Sequence, residues 1–322
     1  MLPLACARPI AGVFILLLAA CSTPQSKALR SVAPANLPAR SELSSVAYFP
    51  QDENQCGPAS LAMVFHSAGL DVEPGQLKDS LYLPDKQGSL QVEMLATTRR
   101  HGLLAYLLQP ELQQLLTEVA AGNPVVVLQN LGLSWYQVWH YAVVIGYDME
   151  KEEIFLRSGP DQRLILPFTT FEHTWARSQY WAMVALPPAR IPQTATPENY
   201  IQSIAALQHS SSNTDTWPAY NAAMLRWPGS LLVTIAAGNQ AYNRGDLSVA
   251  EQMFFKATQQ HPDSAAAFNN LAQTLSDQGK HDAALEAARR ALEIGGPLLS
   301  VVRQTLSEIG QKKRAAQEGA LK

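Results

Sequence analysis

The sequence has little cysteine and little charge. Three cysteines occur among 322 residues, charged residues make up 16%, and the formal net charge is −3. A chain without a basic block or a basic pI lacks the electrostatic footprint of a nucleic-acid-binding protein, so we exclude that class. The length and the 47% hydrophobic content fit two globular domains, each with a core of its own.

Two further absences concern cofactors. The sequence contains no glycine-rich phosphate loop. All histidines but one are scattered without metal-ligand spacing and are expected to be surface or satisfied core residues: His66, His101, His173, His209, His261 and His281. The sequence therefore predicts no cofactor and no metal.

The first 20 residues have the pattern of a targeting segment. Arg8 is the only charge before an apolar run over 10–20, which is too short to span a membrane but typical of a signal peptide. The run ends in Leu-Ala-Ala-Cys at 18–21, which resembles the lipobox of bacterial lipoproteins. The resemblance implies lipidation of Cys21, and Ser22 after it implies the outer membrane, with the protein on the periplasmic face. An ordinary secretory signal is the alternative.

This interpretation changes the cysteine count. Cys6 leaves with the signal and Cys21 carries lipid, so Cys56 becomes the single free thiol of the mature chain. A lone thiol in an oxidising compartment is liable to oxidation, which favours a functional role over a structural one. Residues 21–44, rich in Ser, Ala and Pro, are expected to form a flexible tether.

Cys56 begins an apolar helical run, and His140 begins a strand-like run 84 residues later. A helix N-terminus favours thiolate, and an imidazole serves as ion-pair partner and general base. A helix-terminal cysteine followed by a strand histidine is the order that papain-like cysteine hydrolases use. The alternative is a buried structural cysteine and an unrelated histidine.

Residues 45–187 have a mixed pattern. Helices are predicted over 56–68, 90–101 and 111–121, and strands over 103–109, 125–129, 141–147, 153–157 and 180–186. Helices followed by antiparallel strands indicate an α+β domain. A proline-rich linker over 188–197 follows it.

The remainder, 198–322, is predicted to be all-helical with an internal repeat. Small residues recur with a period of 34 residues: Gly245 and Gly279, Ala250 and Ala284, Ala257 and Ala291. This pattern resembles the tetratricopeptide repeat, with units at about 231–264 and 265–298 and a degenerate unit upstream. A plain alanine-rich helical bundle is the alternative.

The segments 51–58 and 140–148, read together, resemble the double-glycine leader peptidases, also called bacteriocin-processing or C39 peptidases. The resemblance covers 45–187 and implies a papain-like fold. It implies Cys56 as the nucleophile, His140 as its base and Gln51 as the oxyanion donor beside the Cys56 backbone N–H. Gln55 is the second candidate for that donor.

The third catalytic position departs from the family. An Asp orients the histidine there, whereas Ser158 stands at roughly that position in this chain, flanked by Asp148 and Asp161. We predict that the Ser158 hydroxyl or a nearby carbonyl accepts from His140, with Asp161 the next candidate. Asp148 is eight residues from His140, about 25 Å in an extended strand, and is too distant.

The sequence thus predicts an α+β papain-like N-terminal domain followed by an all-α tetratricopeptide-repeat domain. The expected function is a membrane-anchored periplasmic cysteine peptidase that cleaves a peptide or protein, with repeats that bind substrate or a partner. The alternative is a non-catalytic scaffold or assembly lipoprotein with a degenerate peptidase fold. A cell-wall amidase fits less well, because Cys-Ser-Gly is usual there. Trp135, Tyr136 and Trp139 either pack or wall the substrate subsites.

Overall fold

The computed structural model describes residues 23–31, 37–50, 55–83, 88–133, 135–211 and 214–320. The chain divides into two compact units, the first ending at Leu186 and including Pro192–Thr194, the second comprising Pro187–Ile191 and everything from Ala195. The division lies in the proline-rich segment. None of the helices in the described ranges is both long and apolar enough to cross a bilayer.

A seven-stranded antiparallel sheet forms the first unit. Its strands are β1 (Arg40–Glu42), β2 (Leu104–Leu107), β3 (Val125–Asn130), β4 (Trp139–Asp148), β5 (Glu153–Ser158), β6 (Asp161–Pro167) and β7 (Ala182–Leu186). The strand order is β2-β7-β3-β4-β5-β6, and β1 pairs with β4. Strands β3 and β4 are apolar along most of their length, as expected for strands covered on both faces.

Six helices accompany the sheet: α1 (Pro24–Ser31), α2 (Cys56–Ser67), α3 (Pro74–Leu81), α4 (Gln91–Arg100), α5 (Leu112–Ala120) and α6 (Phe168–Ala176). Helix α2 is apolar all round, and every residue from Gly57 to Phe65 is buried. Its core partners on β4 are Tyr141, Val143 and Ile145. A helix that is hydrophobic on all sides must lie inside a core, and α2 does so.

The predicted α+β class is confirmed, although the sequence interpretation missed α1, β1, α3, β6 and α6. The missed strand β6 lies at the sheet edge, most of its side chains are exposed, and its aliphatic run, Leu164–Leu166, is only three residues long. Glu73 and Gln76 form a capping box at the start of α3, which was a readable sequence signal.

The expectation of a flexible tether over 21–44 is wrong for the part that the structure describes. Helix α1 packs on the first unit and buries Ser26 and Leu29. The Glu172 carboxylate accepts from the backbone N–H of Gln25 at 2.9 Å and of Ser26 at 2.7 Å. A carboxylate placed on the unpaired N–H groups of a helix start stabilises that helix, which the local composition does not show.

Strand β1 pairs with the part of β4 that lies beyond the end of β3, at residues 146–148. Gly146 permits this close pairing, because a Cβ there would lie 2.7 Å from both the Ser41 carbonyl oxygen and the Phe155 ring. The glycine therefore fixes where the segment before Cys56 joins the sheet.

The second unit is helical throughout its described residues. Its helices are α7 (Pro197–Ser210), α8 (Trp217–Arg226), α9 (Leu231–Asn243), α10 (Leu247–Gln260), α11 (Ala265–Asp277), α12 (His281–Ile294) and α13 (Leu299–Ala320). The pairs α9–α10 and α11–α12 coincide with the two predicted repeat units. Ser230, Asp246 and Ser264 cap three of these helices through their side chains.

Glycine and aromatic residues set the geometry within each helical pair. Gly245 and Gly279 turn the chain between the helices, both with φ of +78°. Gly238 on α9 faces Phe254 on α10, and a Cβ at Gly238 would lie 2.6 Å from the ring. Small residues at these positions allow the two helices to approach closely.

We expect Gly238→Ala to lower the free energy of unfolding of the second unit. Overpacking against Phe254 costs about 1–3 kcal/mol, which exceeds the gain of about 1 kcal/mol from replacing a helical glycine. Gly310→Ala on α13 is the matched control, because only Arg314 lies near it, at 3.9 Å, and it should be neutral or stabilising. Urea denaturation of both variants measures the difference; equal effects would contradict this packing.

Candidate active site

Cys56 is the first residue of α2 and is partly exposed, in contrast to the buried residues that follow it. The backbone N–H groups of Tyr141, Gly57 and Cys56 itself face the sulfur. Two of these belong to the first turn of the helix, where N–H groups have no partner within the helix. The sulfur therefore lies between the start of α2 and the start of β4.

His140 is the second residue of β4, and its Nε2 lies 2.9 Å from the Ser158 hydroxyl oxygen. Val143 pairs with Arg157 on β5, so continuing this register by one residue places Ser158 opposite Ala142. Ser158 is then a diagonal neighbour of His140 on the same face of the sheet. The predicted contact is present, and it leaves Nδ1 as the ring nitrogen available to the thiol.

Cys56 and His140 line one cleft with a volume of about 1300 Å³. One side of it is formed by the segment after α3, including Ser89 and Leu90, and another by the β3–β4 connection with Tyr136 and Val138. Further lining comes from the segment between α6 and β7, including Arg177 and Trp181. The cleft is large enough for several residues of an extended peptide.

Burial shifts both candidate groups toward their uncharged forms. It raises the pKa of the Cys56 thiol above its ordinary value, and the surrounding N–H groups offset this only in part. It also lowers the pKa of His140. Both shifts favour a neutral thiol and a neutral imidazole over the expected thiolate–imidazolium pair in the resting site. The physical reason is that desolvation outweighs the helix terminus.

The two aspartates that flank Ser158 lie elsewhere. Asp148 is at the opposite end of β4 and accepts from the backbone N–H of Lys151 at 3.0 Å in the β4–β5 turn. Asp161 pairs with Ser158 across the β5–β6 turn, but it is exposed. Ser158 itself is buried, so the group facing the imidazole is a neutral hydroxyl.

Gln51 and Cys21 lie outside the described residues, so no position is assigned to either. Gln55 precedes α2 and makes no side-chain cap on it. The chain leading toward Gln51 is held from β5: Arg157 donates to the carbonyl of Val46 at 2.9 Å. Tyr48 donates to the carbonyl of Gly159 at 3.2 Å. The sequence interpretation did not identify these supports.

Gly57 and Ser89 approach each other closely at the site. A Cβ at Gly57 would lie 2.3 Å from the Ser89 hydroxyl oxygen. The glycine after Cys56 thus allows the segment at 88–90 to approach the start of α2. Tyr141 donates to the Ser89 carbonyl at 3.3 Å and holds this segment in place.

A cluster of His66, Asp71 and Glu73 brings one ligand atom of each residue within 4.8 Å of the others. Both carboxylates are exposed, and acidic clusters of this kind are common without an ion. We assign no metal to it.

Family comparisons agree with this geometry. Residues 43–183 match the Peptidase_C39 like family, and residues 253–286 match the tetratricopeptide repeat. The first unit has a C39-like α+β fold. The second unit contains a tetratricopeptide repeat.

Solved structures resemble the first unit at low identity. A protein described as a C39-like peptidase from Bacillus anthracis is 19% identical, covers 46% of this chain and 98% of its own, with a TM-score of 0.39. The peptidase domain of Streptococcus ComA, a bifunctional ABC transporter involved in quorum sensing, is 20% identical over 44% and 98%, with a TM-score of 0.36. No curated protein matches the chain significantly.

We expect alkylation of Cys56 by iodoacetamide to be slow at pH 7. The rate should increase as the pH rises beyond 9.0, the ordinary pKa of a cysteine thiol. A raised pKa leaves little thiolate at neutral pH, and thiolate is the reacting form. Mass spectrometry of the Cys56 peptide measures the rate. His140→Ala should change it little; a fast plateau below pH 7 that disappears in this variant would show an ion pair instead.

Proposed function

We propose that the protein is a cysteine peptidase in which Cys56 attacks a peptide carbonyl and His140 acts as general base. The observation that carries this proposal is the His140 Nε2–Ser158 contact within the cleft that Cys56 also lines. A hydrogen bond on the far ring nitrogen orients the imidazole so that Nδ1 takes the proton.

The first half of the reaction forms an acyl-enzyme. His140 Nδ1 removes the thiol proton as the Cys56 sulfur bonds to the carbonyl carbon, and the carbonyl oxygen becomes an oxyanion. The Cys56 backbone N–H at the start of α2 and the Gln51 amide are the proposed oxyanion donors. The C–N bond then breaks, and the imidazolium returns its proton to the leaving amine, which leaves a thioester.

The second half restores the enzyme. His140 removes a proton from a water molecule as the water oxygen bonds to the thioester carbonyl. The C–S bond breaks, the product acid is released, and the sulfur regains a proton from His140. A neutral resting pair suits these two half-reactions, because the lowered pKa of His140 keeps the imidazole unprotonated and able to accept a proton in both.

Ser158 limits how strongly the protonated form of His140 is stabilised in this mechanism. A hydroxyl accepts from Nε2–H and fixes the tautomer, but it stabilises imidazolium less than a carboxylate does. The same observation favours a second candidate function, a non-catalytic binding domain derived from a peptidase. In that case Cys56 and His140 remain as buried neutral groups and no acyl-enzyme forms.

The first test is cleavage of a peptide library followed by mass spectrometry. We expect wild type to cleave, Cys56→Ala and His140→Ala to be inactive, and Ser158→Ala to lose about tenfold in kcat, the worth of one hydrogen bond. Ser158→Asp should move the acid limb of the pH profile to higher pH, because a carboxylate raises the pKa of the neighbouring imidazole. Failure of a peptidyl acyloxymethyl ketone to label Cys56 would favour the binding domain.

The cellular setting is also proposed. The signal-like segment and the lipobox support acylation of Cys21 and attachment to the outer membrane on its periplasmic face. The tetratricopeptide unit supports binding of substrate or a protein partner, because repeat arrays present extended surfaces for peptides. Gly-Gly specificity does not follow from the fold.

Acylation is tested independently of peptidase activity. Cys21→Ala should release the chain from the membrane fraction or leave it uncleaved, because the acyl acceptor is gone. Fractionation and immunoblotting of the full-length protein measure this. Cys56→Ala is the matched control, since it removes a thiol without affecting the anchor; a Cys21→Ala chain that is cleaved like wild type and still stays in the membrane fraction would refute lipidation.

A further inference from the structure

The connection between β3 and β4 is an exposed apolar hairpin. Residues 131–139, the apolar hairpin, contain no charged residue. Six large apolar side chains within it are exposed by 42–81%: Leu131, Leu133, Trp135, Tyr136, Val138 and Trp139. A continuous exposed patch of this kind on a soluble domain marks an interaction surface.

The hairpin is held rigidly at its base. The Asn130 side-chain oxygen accepts from the backbone N–H groups of Gly132 and Val138, both at 3.0 Å. Leu131 donates to the Val138 carbonyl at 2.8 Å, and Leu133 to the Tyr136 carbonyl at 2.7 Å. Arg177 donates to the carbonyls of Asn130 and Gly132. The described residues on both sides of the hairpin are therefore hydrogen-bonded to one another and to Arg177.

The start of α1, which follows the proposed lipid attachment in the chain, contacts the rim of the same cleft. Gln25 donates through its side chain to the Pro110 carbonyl at 2.9 Å, and Pro110 lines the cleft together with Tyr136 and Val138. Cys21 is four residues before Gln25, a span of at most about 14 Å.

Helix α6 links the two features. Glu172 binds the start of α1, and Arg177, at the end of α6, supports the hairpin. Five residues separate them, about 8 Å along a helix axis.

We propose that the apolar hairpin inserts into the interfacial zone of a phospholipid bilayer and orients the cleft toward the membrane surface. This inference deepens the proposed anchoring and rests on it for the position of the acyl chain. Trp, Tyr and Leu without charge are the side chains that favour the bilayer interface. A lipid anchor holds the chain at the membrane without setting the orientation of the domain, and a second apolar contact sets it.

The exposure of the hairpin side chains argues for a lipid bilayer rather than a peptide as their binding partner. Trp135 is 81% exposed, and neither it nor Leu131 nor Leu133 lines the cleft. The other three, Tyr136, Val138 and Trp139, line the cleft and can contact substrate, so the bilayer contact is assigned to Leu131, Leu133 and Trp135. Because the hairpin is uncharged, bilayer binding through it should not weaken with salt.

The experiment uses the chain from residue 22 onward, without acyl group, and vesicles of phosphatidylethanolamine and phosphatidylglycerol. We expect it to co-sediment with the vesicles equally at low and high salt. Leu133→Ser/Trp135→Ser should lower the partition coefficient by about tenfold or more, since two large apolar contacts are lost. The matched control, Leu225→Ser/Phe255→Ser, alters two exposed apolar residues of the second unit and should bind like wild type.

Brominated lipids provide a second measurement that avoids polar substitutions. They should quench tryptophan fluorescence of the unaltered chain, and Trp135→Phe should lose most of that quenching while still binding.

Three outcomes would overturn the proposal. The chain does not bind vesicles, or both double variants lose binding equally. The third is that the hairpin variant binds vesicles like wild type but no longer cleaves peptides. Cys56 labelling is read separately, so failure of the peptidase proposal alone leaves vesicle binding intact.

Discussion

The complete burial of α2 is the constraint on which the candidate site depends. Nine consecutive residues after Cys56 are buried, so the helix cannot slide or rotate without opening the core. Cys56 is consequently fixed at the partly exposed N-terminal end of the helix, beside the backbone of Tyr141. The same burial that positions the sulfur also raises its pKa, so positioning and electrostatics have a common cause.

The sheet supplies the other half of the site. Antiparallel pairing of β4 with β5 brings Ser158 diagonally opposite His140, and the β5–β6 turn ends β5 at that residue. A neutral orienting group and a desolvated imidazole both favour a base that stays unprotonated at rest. This arrangement suits the proposed proton transfer during attack better than a stored thiolate.

Helix α6 connects three peripheral features to this centre. Glu172 holds the start of α1, Thr174 accepts from the Gln129 side chain on β3 at 2.7 Å, and Arg177 supports the apolar hairpin. Glu172 is fully buried, and its hydrogen bonds to α1 offset the cost of burying a carboxylate. One short helix therefore sets the position of the chain after Cys21 and of the loop before His140.

The sequence alone determined the helices and strands with strong periodicity and the helical repeat, because local patterns and spacing carry those signals, and it indicated Cys56 and His140 as candidates, which line one cleft. It also indicated Ser158 through its place on the strand after His140. Only the tertiary structure decided the direction of both pKa shifts, since desolvation depends on what packs around a group. The docking of α1 was likewise decided by the tertiary structure, because its partner Glu172 lies 147 residues from Gln25 in the chain.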